Sequence, residues 1–338
     1  MTEIYLIRHG EAEGNVFRRL HGQYNSLLMP RGYAQAECIR KRFADIQIDA
    51  VYSSDLTRAC LTSRSLYIPR GLKLNRDSRF RELHVGVWED LSYGYLDNFE
   101  PEKMWQFSHD PKAWFVNGSE RYEQYTSRFV SAMKDAASVN DGKTIAIFAH
   151  GAVLRGTLMH LFFDDQADSL PLSDNAGVSR LFYENGKFSY DYLNDNSHIP
   201  EELSTFYIQA WWRKTDNRKA ANLYFVPYDQ SMILPEELNV PRGETVMTAM
   251  LQNLPVGMLA MGAQEGTCGM IQGMTLLPEM TGRGYADQML GCAVSHFRRL
   301  GCRQIRLVPG EYPDAVNVRY DFDLDTWCRN IDANHFSW

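Results

Sequence analysis

Two apolar runs, far apart in the chain, both end in His-Gly. Ile4-Tyr5-Leu6-Ile7 leads through Arg8 to His9-Gly10, and Thr144-Ile145-Ala146-Ile147-Phe148-Ala149 leads to His150-Gly151. A short apolar run closed by glycine predicts a buried strand. In open α/β sheets chemistry gathers at the carboxyl ends of strands. Val153, Leu154, Leu158, Leu161 and Phe162 then mark a helix, which puts the Gly151 amide at a helix N-terminus, a ready anion site. Two imidazoles and a fixed cation delivered this way suit phosphate. A surface Arg-His pair is the competing reading of Arg8-His9 taken alone.

The stretch between these runs adds candidates. Gly14-Asn15 opens a loop that continues through His21-Gly22-Gln23, and Pro30 starts a helix carrying Ala34, Cys38, Ile39 and Phe43. Asp49–Tyr52 reads as a second strand, with Ser53-Ser54 as the cap of the helix that follows. Arg58 falls in the first turn of that helix, where a cation opposes the helix dipole and is better tolerated if an anion offsets it; an exposed Arg is the alternative. Glu82 lies among apolar neighbours, a setting that raises a carboxyl pKa and suits a general acid; a salt bridge to Arg79 or Arg81 is the plainer reading. The aromatics of residues 99–118 are expected to be core rather than a lid. Of the other histidines only His21 falls beside the expected pocket.

Composition narrows the function classes. A length of 338 residues suggests two domains. The net charge of −7 gives no sign of nucleic acid or an anionic membrane as partner, and no apolar stretch approaches the ~18 residues of a membrane span. The N-terminus does not read as a signal peptide. The six cysteines form no CxxC pair, so they read as reduced, in a cytoplasmic protein. No cluster has metal-ligand spacing, so no metal is expected.

Four ordered motifs carry a resemblance: Arg8-His9-Gly10-Glu11, Ser53-Ser54-Asp55-Leu56-Thr57-Arg58-Ala59, Glu82 with Gly86 and Trp88-Glu89, and His150-Gly151. Together they resemble the histidine phosphatase superfamily in its phosphoglycerate-mutase-like branch. The resemblance covers residues 1–199 and implies a doubly wound, mainly parallel α/β sheet. It implies His9 as the nucleophile and Glu82 as the proton donor. It also implies that Arg8, Arg58, His150 and Gly151 bind the phosphoryl group, with Asn15, Gly22 and Gln23 nearby. Phosphoryl transfer needs positioning and charge neutralisation above all, so protein cations replace a metal. One departure is Arg121, standing where the family often has Ser; it suits a second anionic group or a solvated face.

After a polar linker near Pro200, residues 200–338 read as a smaller α+β domain. A helix is expected over Phe206–Arg213 and strands over Thr245–Leu251, Val256–Met261, Met270–Leu277 and Ile305–Val308. Thr281-Gly282-Arg283-Gly284-Tyr285-Ala286 precedes an apolar-faced helix that ends at Gly301. In that context the glycine segment resembles the pyrophosphate loop of the GNAT acetyltransferases. The resemblance implies acetyl-CoA, with Leu276 and Leu277 beside its pantetheine arm and Gly282, Arg283, Gly284, Tyr285, Ala286 and Asp287 on its pyrophosphate. The family's later pattern is poorly kept in Asp314–Tyr320, where Tyr320 is a candidate proton donor.

The chain is therefore expected to be a metal-independent phosphatase of a small phosphate ester with a GNAT-like domain, and a homodimer is compatible with this. The alternatives are an N-acetyltransferase with an auxiliary phosphatase domain, a non-catalytic phospho-ligand module, and a phosphoglycerate mutase.

Overall fold

The computed structural model describes residues 1–166, 169–214, 217–308, 312–313 and 328–334. The chain forms two compact units, neither continuous in sequence. The first comprises Met1–Ala12, His21–Glu89 and Glu102–Ala210; the second comprises Glu13–Leu20, Asp90–Pro101 and Trp211–Trp338.

The first unit is built on a six-stranded sheet in the order Leu74–Arg76, Ala50–Ser53, Thr144–Ala149, Thr2–Arg8, Val178–Glu184 and Lys187–Asp195. The first four strands are mutually parallel, and the last two add an antiparallel edge. Tyr5, Ile7, Val51, Ala146 and Phe148 pack with Ile39, Phe43 and Leu66 of two helices. Residues alternating with them, Ile4, Leu6, Ile145 and Ile147, are buried as well. Alternate residues point to opposite faces, so the central strands are covered on both, which is why their sequences read as unbroken apolar runs. This is the doubly wound, mainly parallel arrangement expected.

Several local expectations change. Glu13–Val16 forms a helical turn and Arg19–Leu20 a short strand within the stretch expected to be loop. The helix Thr57–Tyr67 begins after Leu56, so Ser53-Ser54 is not its cap. Asn25 supplies the acceptor instead, taking the Thr57 N–H at 2.9 Å. Of the aromatics, Trp114 is buried and packs with Trp88 and Phe107, whereas Phe99 and Trp105 are exposed.

The second unit has its own six-stranded sheet, ordered Cys328–Asn330, Gln304–Leu307, Cys268–Leu276, Leu254–Met261, Thr245–Leu251 and Tyr224–Pro227. Only the Cys268–Leu276 and Gln304–Leu307 pair is parallel. Gln252 and Asn253, both at positive φ, make the two-residue turn of a tight hairpin. The expected 206–213 helix is two short pieces, Thr205–Ile208 and Ala210–Arg213.

Two segments from early in the chain belong to this sheet-rich unit. The buried Glu13 carboxylate pairs with Arg298 at 2.9 Å and Arg329 at 3.4 Å. Arg19 pairs with Asp90 at 2.7 Å and donates to the Ser295 hydroxyl at 3.0 Å. Among the described residues, no helix is long and apolar enough to cross a membrane. Asp314–Tyr320, with Tyr320, lies outside the described residues.

Candidate active site

The two His-Gly strand ends are neighbours. Thr2–Arg8 and Thr144–Ala149 run parallel with Arg8 opposite Ala149, so His9 and His150 follow together at the carboxyl ends of the two central strands. Their ring centroids stand 5.1 Å apart. His9 Nδ1 lies 2.7 Å from the Gly10 carbonyl oxygen. A carbonyl only accepts, so Nδ1 carries the proton and Nε2 keeps its lone pair. The His9 main chain is pinned too: its N–H donates to Ala149 O, and its carbonyl accepts from the Ala176 N–H and the Asn175 amide.

Burial, reinforced by the Arg58 and Arg8 cations, holds His9 well below the ordinary imidazole range. Burial and Arg58 do the same to His150. Both rings are thus neutral near pH 7. Among the described residues neither ring nitrogen of His150 has a hydrogen-bond partner, although both are buried. Buried polar atoms are seldom left so, and here they adjoin the His9 ring.

Arg8 donates from Nη1 to the Ser173 carbonyl, and its guanidinium lies against Gly151. A methyl at Gly151 would stand only 3.1 Å from Arg8 Nε. Arg58 is 3% exposed, which rules out the reading of an exposed Arg. It donates to the carbonyls of Gly22 at 2.6 Å and Tyr24 at 3.1 Å. Burial lowers its pKa to about 10, against the raising pull of Glu82 and Glu89, so it remains a cation at neutral pH. The loop that holds Arg58 is itself held by Glu89, whose carboxylate accepts the N–H groups of Gln23, Tyr24 and Val85 at 2.6–3.1 Å. Gly22, at φ +50, leaves room for that carboxylate.

The polar partners of Glu82 are backbone amides. Its carboxylate accepts from the N–H of Ala152 at 3.0 Å, Val153 at 2.7 Å and Leu83 at 3.0 Å. The carboxyl group that meets the N-terminus of the Gly151–Phe162 helix is thus that of Glu82. Its carbonyl is fixed by Gln23 Nε2 at 3.0 Å and Arg128 Nη2 at 2.9 Å. Arg79 and Arg81, the proposed salt-bridge partners, pair instead with Asp77 and Asp55.

The structure therefore gathers Arg8, His9, Gly22, Gln23, Arg58, Glu82, His150 and Gly151 within the first unit. Asn15 lies on the short helix Glu13–Val16 of the second. Arg121 is exposed and stacks over Phe115 at 4.2 Å. The positioning role of Arg128 was missed by sequence reasoning. Besides its ion pair with Glu120 at 2.6 Å, its acceptors are the main-chain carbonyls of residues 79, 81 and 82, and no local sequence pattern announces those carbonyl contacts.

In the second unit Gly282 and Gly284 both adopt positive φ, +77° and +78°, and Gly284 caps the Tyr285–Arg299 helix. Among the described residues, no atom beyond its two chain neighbours lies within 4 Å of where a side chain would begin at Gly282. Arg283 is exposed, while Tyr285, Ala286 and Asp287 are buried in the first turn. The strand Cys268–Leu276 pairs with Gln304–Leu307 only from Cys268 to Ile271. Its end at Leu276 therefore runs on unpaired on that side among the described residues. Leu277 is buried and donates its N–H to Val256 O. A glycine turn with open space at Gly282 before a helix N-terminus, with a strand end nearby in sequence, fits a pyrophosphate and its attached arm.

The comparisons agree with this geometry. The sequence matches the histidine phosphatase superfamily (branch 1) over residues 4–196 and the acetyltransferase (GNAT) family over residues 206–318. A metal-independent phosphoserine phosphatase of Arabidopsis thaliana is 30% identical over 59% of this chain and 84% of its own length. A probable phosphoglycerate mutase GpmB of Salmonella choleraesuis is 29% identical over 56% of this chain and 88% of its own. Among solved structures, Bacillus stearothermophilus YhfR superposes with a TM-score of 0.56 at 29% identity, covering 59% of this chain and 99% of YhfR. Strand ends, paired histidines and sequence thus converge, and the chain belongs to the histidine phosphatase superfamily, with a GNAT acetyltransferase domain in the same polypeptide.

Proposed function

We propose that the chain is a metal-independent phosphatase that cleaves a small phosphorylated metabolite through a phosphohistidine on His9. The observation that carries this reading is the buried, neutral His9–His150 pair flanked by Arg8 and Arg58. In the first step His9 Nε2 attacks phosphorus as the ester oxygen departs, and Glu82 gives that oxygen its proton. In the second step water attacks the phosphohistidine, Glu82 takes the water's proton, and His9 is restored. Arg8 and Arg58 neutralise charge on the phosphoryl oxygens, and the neutral His150 ring donates its one N–H to one of them. A neutral His9 needs no deprotonation before attack. The relative named a metal-independent phosphoserine phosphatase supports both the chemistry and the class of substrate.

A second reading is favoured by the relative named a probable phosphoglycerate mutase: the phosphoryl group on His9 returns to another hydroxyl of the same substrate. Incubation with a panel of phosphorylated metabolites, phosphoserine included, separates the two. Release of inorganic phosphate that His9→Ala abolishes supports the phosphatase. Isomer conversion without phosphate release supports the mutase, and binding without either leaves only a phospho-ligand module.

In the second unit, Gly282, Arg283 and Gly284 would hold the pyrophosphate of acetyl-CoA, and the Leu276-Leu277 strand end its pantetheine arm. When bound, acetyl-CoA supplies an acetyl thioester. The chain's own contribution is the open space over Gly282 before a helix N-terminus and the exposed Arg283 cation. An N-acetyltransferase activity is favoured by the GNAT match, and transfer to an amine acceptor measured with labelled acetyl-CoA tests it.

A further inference from the structure

The sheet-rich unit also contains a cavity of about 270 Å³. It is separate from the glycine loop. That loop lies at the N-terminal end of the Tyr285–Arg299 helix, whereas the cavity takes Cys292, His296 and Arg299 from the C-terminal half. Its floor comes from neighbouring strands. Met247 pairs with Pro227 and with Leu259, so Phe225 and Met261, two residues along, share its face. At the rim, Tyr95 and Leu300 stand 40% and 52% exposed. An apolar hollow ringed by exposed apolar side chains gains by being filled.

The polar groups define what fills it. Among the described lining residues the charged side chains are Arg19 and Arg299, and none is a carboxylate. Asp90, buried behind them, is 2.7 Å from Arg19 Nε and 3.6 Å from Arg299 Nη2. Arg19 is further engaged by the Ser295 hydroxyl. One carboxylate thus faces two guanidiniums and leaves one positive charge in excess, and the exposed member is Arg299, at 59%. His296 adds no charge at neutral pH, since burial and Arg299 lower its pKa.

We propose that this cavity is a binding site for a small amphipathic monoanion, an apolar-tailed carboxylate. Its head meets Arg299 at the rim and its tail lies on Phe225, Met247 and Met261. The volume corresponds to about nine groups of water size at ~30 Å³ each, enough for the hydrocarbon tail of an octanoate ion whose head lies at the rim.

Calorimetric titration of the full chain with octanoate tests this, with 1-octanol and octylamine as probes of the same tail. Octanoate is expected to bind saturably at one site, and both controls more weakly. Arg299→Glu, at an exposed position, is expected to weaken octanoate by about tenfold or more. Met247→Trp, which fills the floor, is expected to abolish binding; if it fails to fold, the Arg299 variant decides. Absence of binding at millimolar octanoate, equal affinity for 1-octanol, or an unchanged affinity in Arg299→Glu overturns the proposal.

Discussion

His9 and His150 stand with ring centroids 5.1 Å apart and planes tilted 58° to one another. The parallel pairing of their two strands sets this spacing, because Arg8 and Ala149 are register partners. Each ring is buried, and each lies beside Arg58, which discourages protonation of both. One ring offers a lone pair from a fixed tautomer, and the other has one N–H to donate to an incoming oxygen.

That electrostatic arrangement has a pH signature. The folded state holds both imidazoles below their ordinary pKa, so below about pH 6.5 the unfolded chain binds protons that the folded chain refuses. These two residues therefore make the protein lose stability as pH falls from about 7 to about 5. The expected NMR result is that the His9 and His150 ring protons do not titrate between about pH 8 and pH 6. Titration of either with a midpoint near 6.5 would show that its ring is not held neutral.

The leaving-group dependence tests Glu82. Glu82→Gln is expected to slow cleavage of an alkyl phosphate by ~10²–10⁴-fold. Loss on an activated aryl phosphate should be smaller, because that leaving group needs little protonation. Replacing an oxygen that accepts the Ala152 or Val153 N–H with an amide donor also disturbs the helix start, but that effect applies equally to both substrates. Equal losses on the two substrates would therefore remove Glu82 from the acid role.

Gly151→Ala probes how closely Arg8 approaches the helix. The added methyl would stand 3.1 Å from Arg8 Nε and 3.2 Å from Cζ, and a guanidinium yields more readily than backbone does. Folding should survive, while kcat/KM falls about tenfold through displacement of Arg8 by a few tenths of an ångström. A melting temperature and kcat/KM both matching the original protein would contradict the placement of Arg8.

At the glycine loop, Gly284→Val forces a β-branched residue into φ +78°. Acetyl-CoA affinity, read by calorimetry, should drop at least about tenfold. Binding that is unchanged in a folded variant would separate acetyl-CoA from this loop.

Much of this was legible in the sequence where local pattern and tertiary role coincide. The strands carrying His9 and His150 are buried on both faces, so their apolar runs announce them. Gly282, Gly284 and Gly301 mark backbone that needs positive φ. The glutamates were read less well. Glu82 has apolar neighbours in sequence but backbone amides in space, supplied by a helix seventy residues on. Glu13 carries no signal in its local sequence, yet it is completely buried between Arg298 and Arg329. Its partners lie almost a whole chain length away, so no window of sequence contains the pair. For the same reason the segments 13–20 and 90–101 gave no sign that they pack within the sheet-rich unit.

The identity of the phosphoryl acceptor decides whether His9 is the nucleophile. Rapid quenching of the protein during turnover of a phosphomonoester, followed by peptide mass spectrometry under conditions that preserve phosphohistidine, locates the transferred group. The expected result is phosphate on Nε2 of His9, with no such adduct and no turnover in His9→Ala. Turnover that persists in His9→Ala, or a phosphoryl group found on another residue, would contradict it.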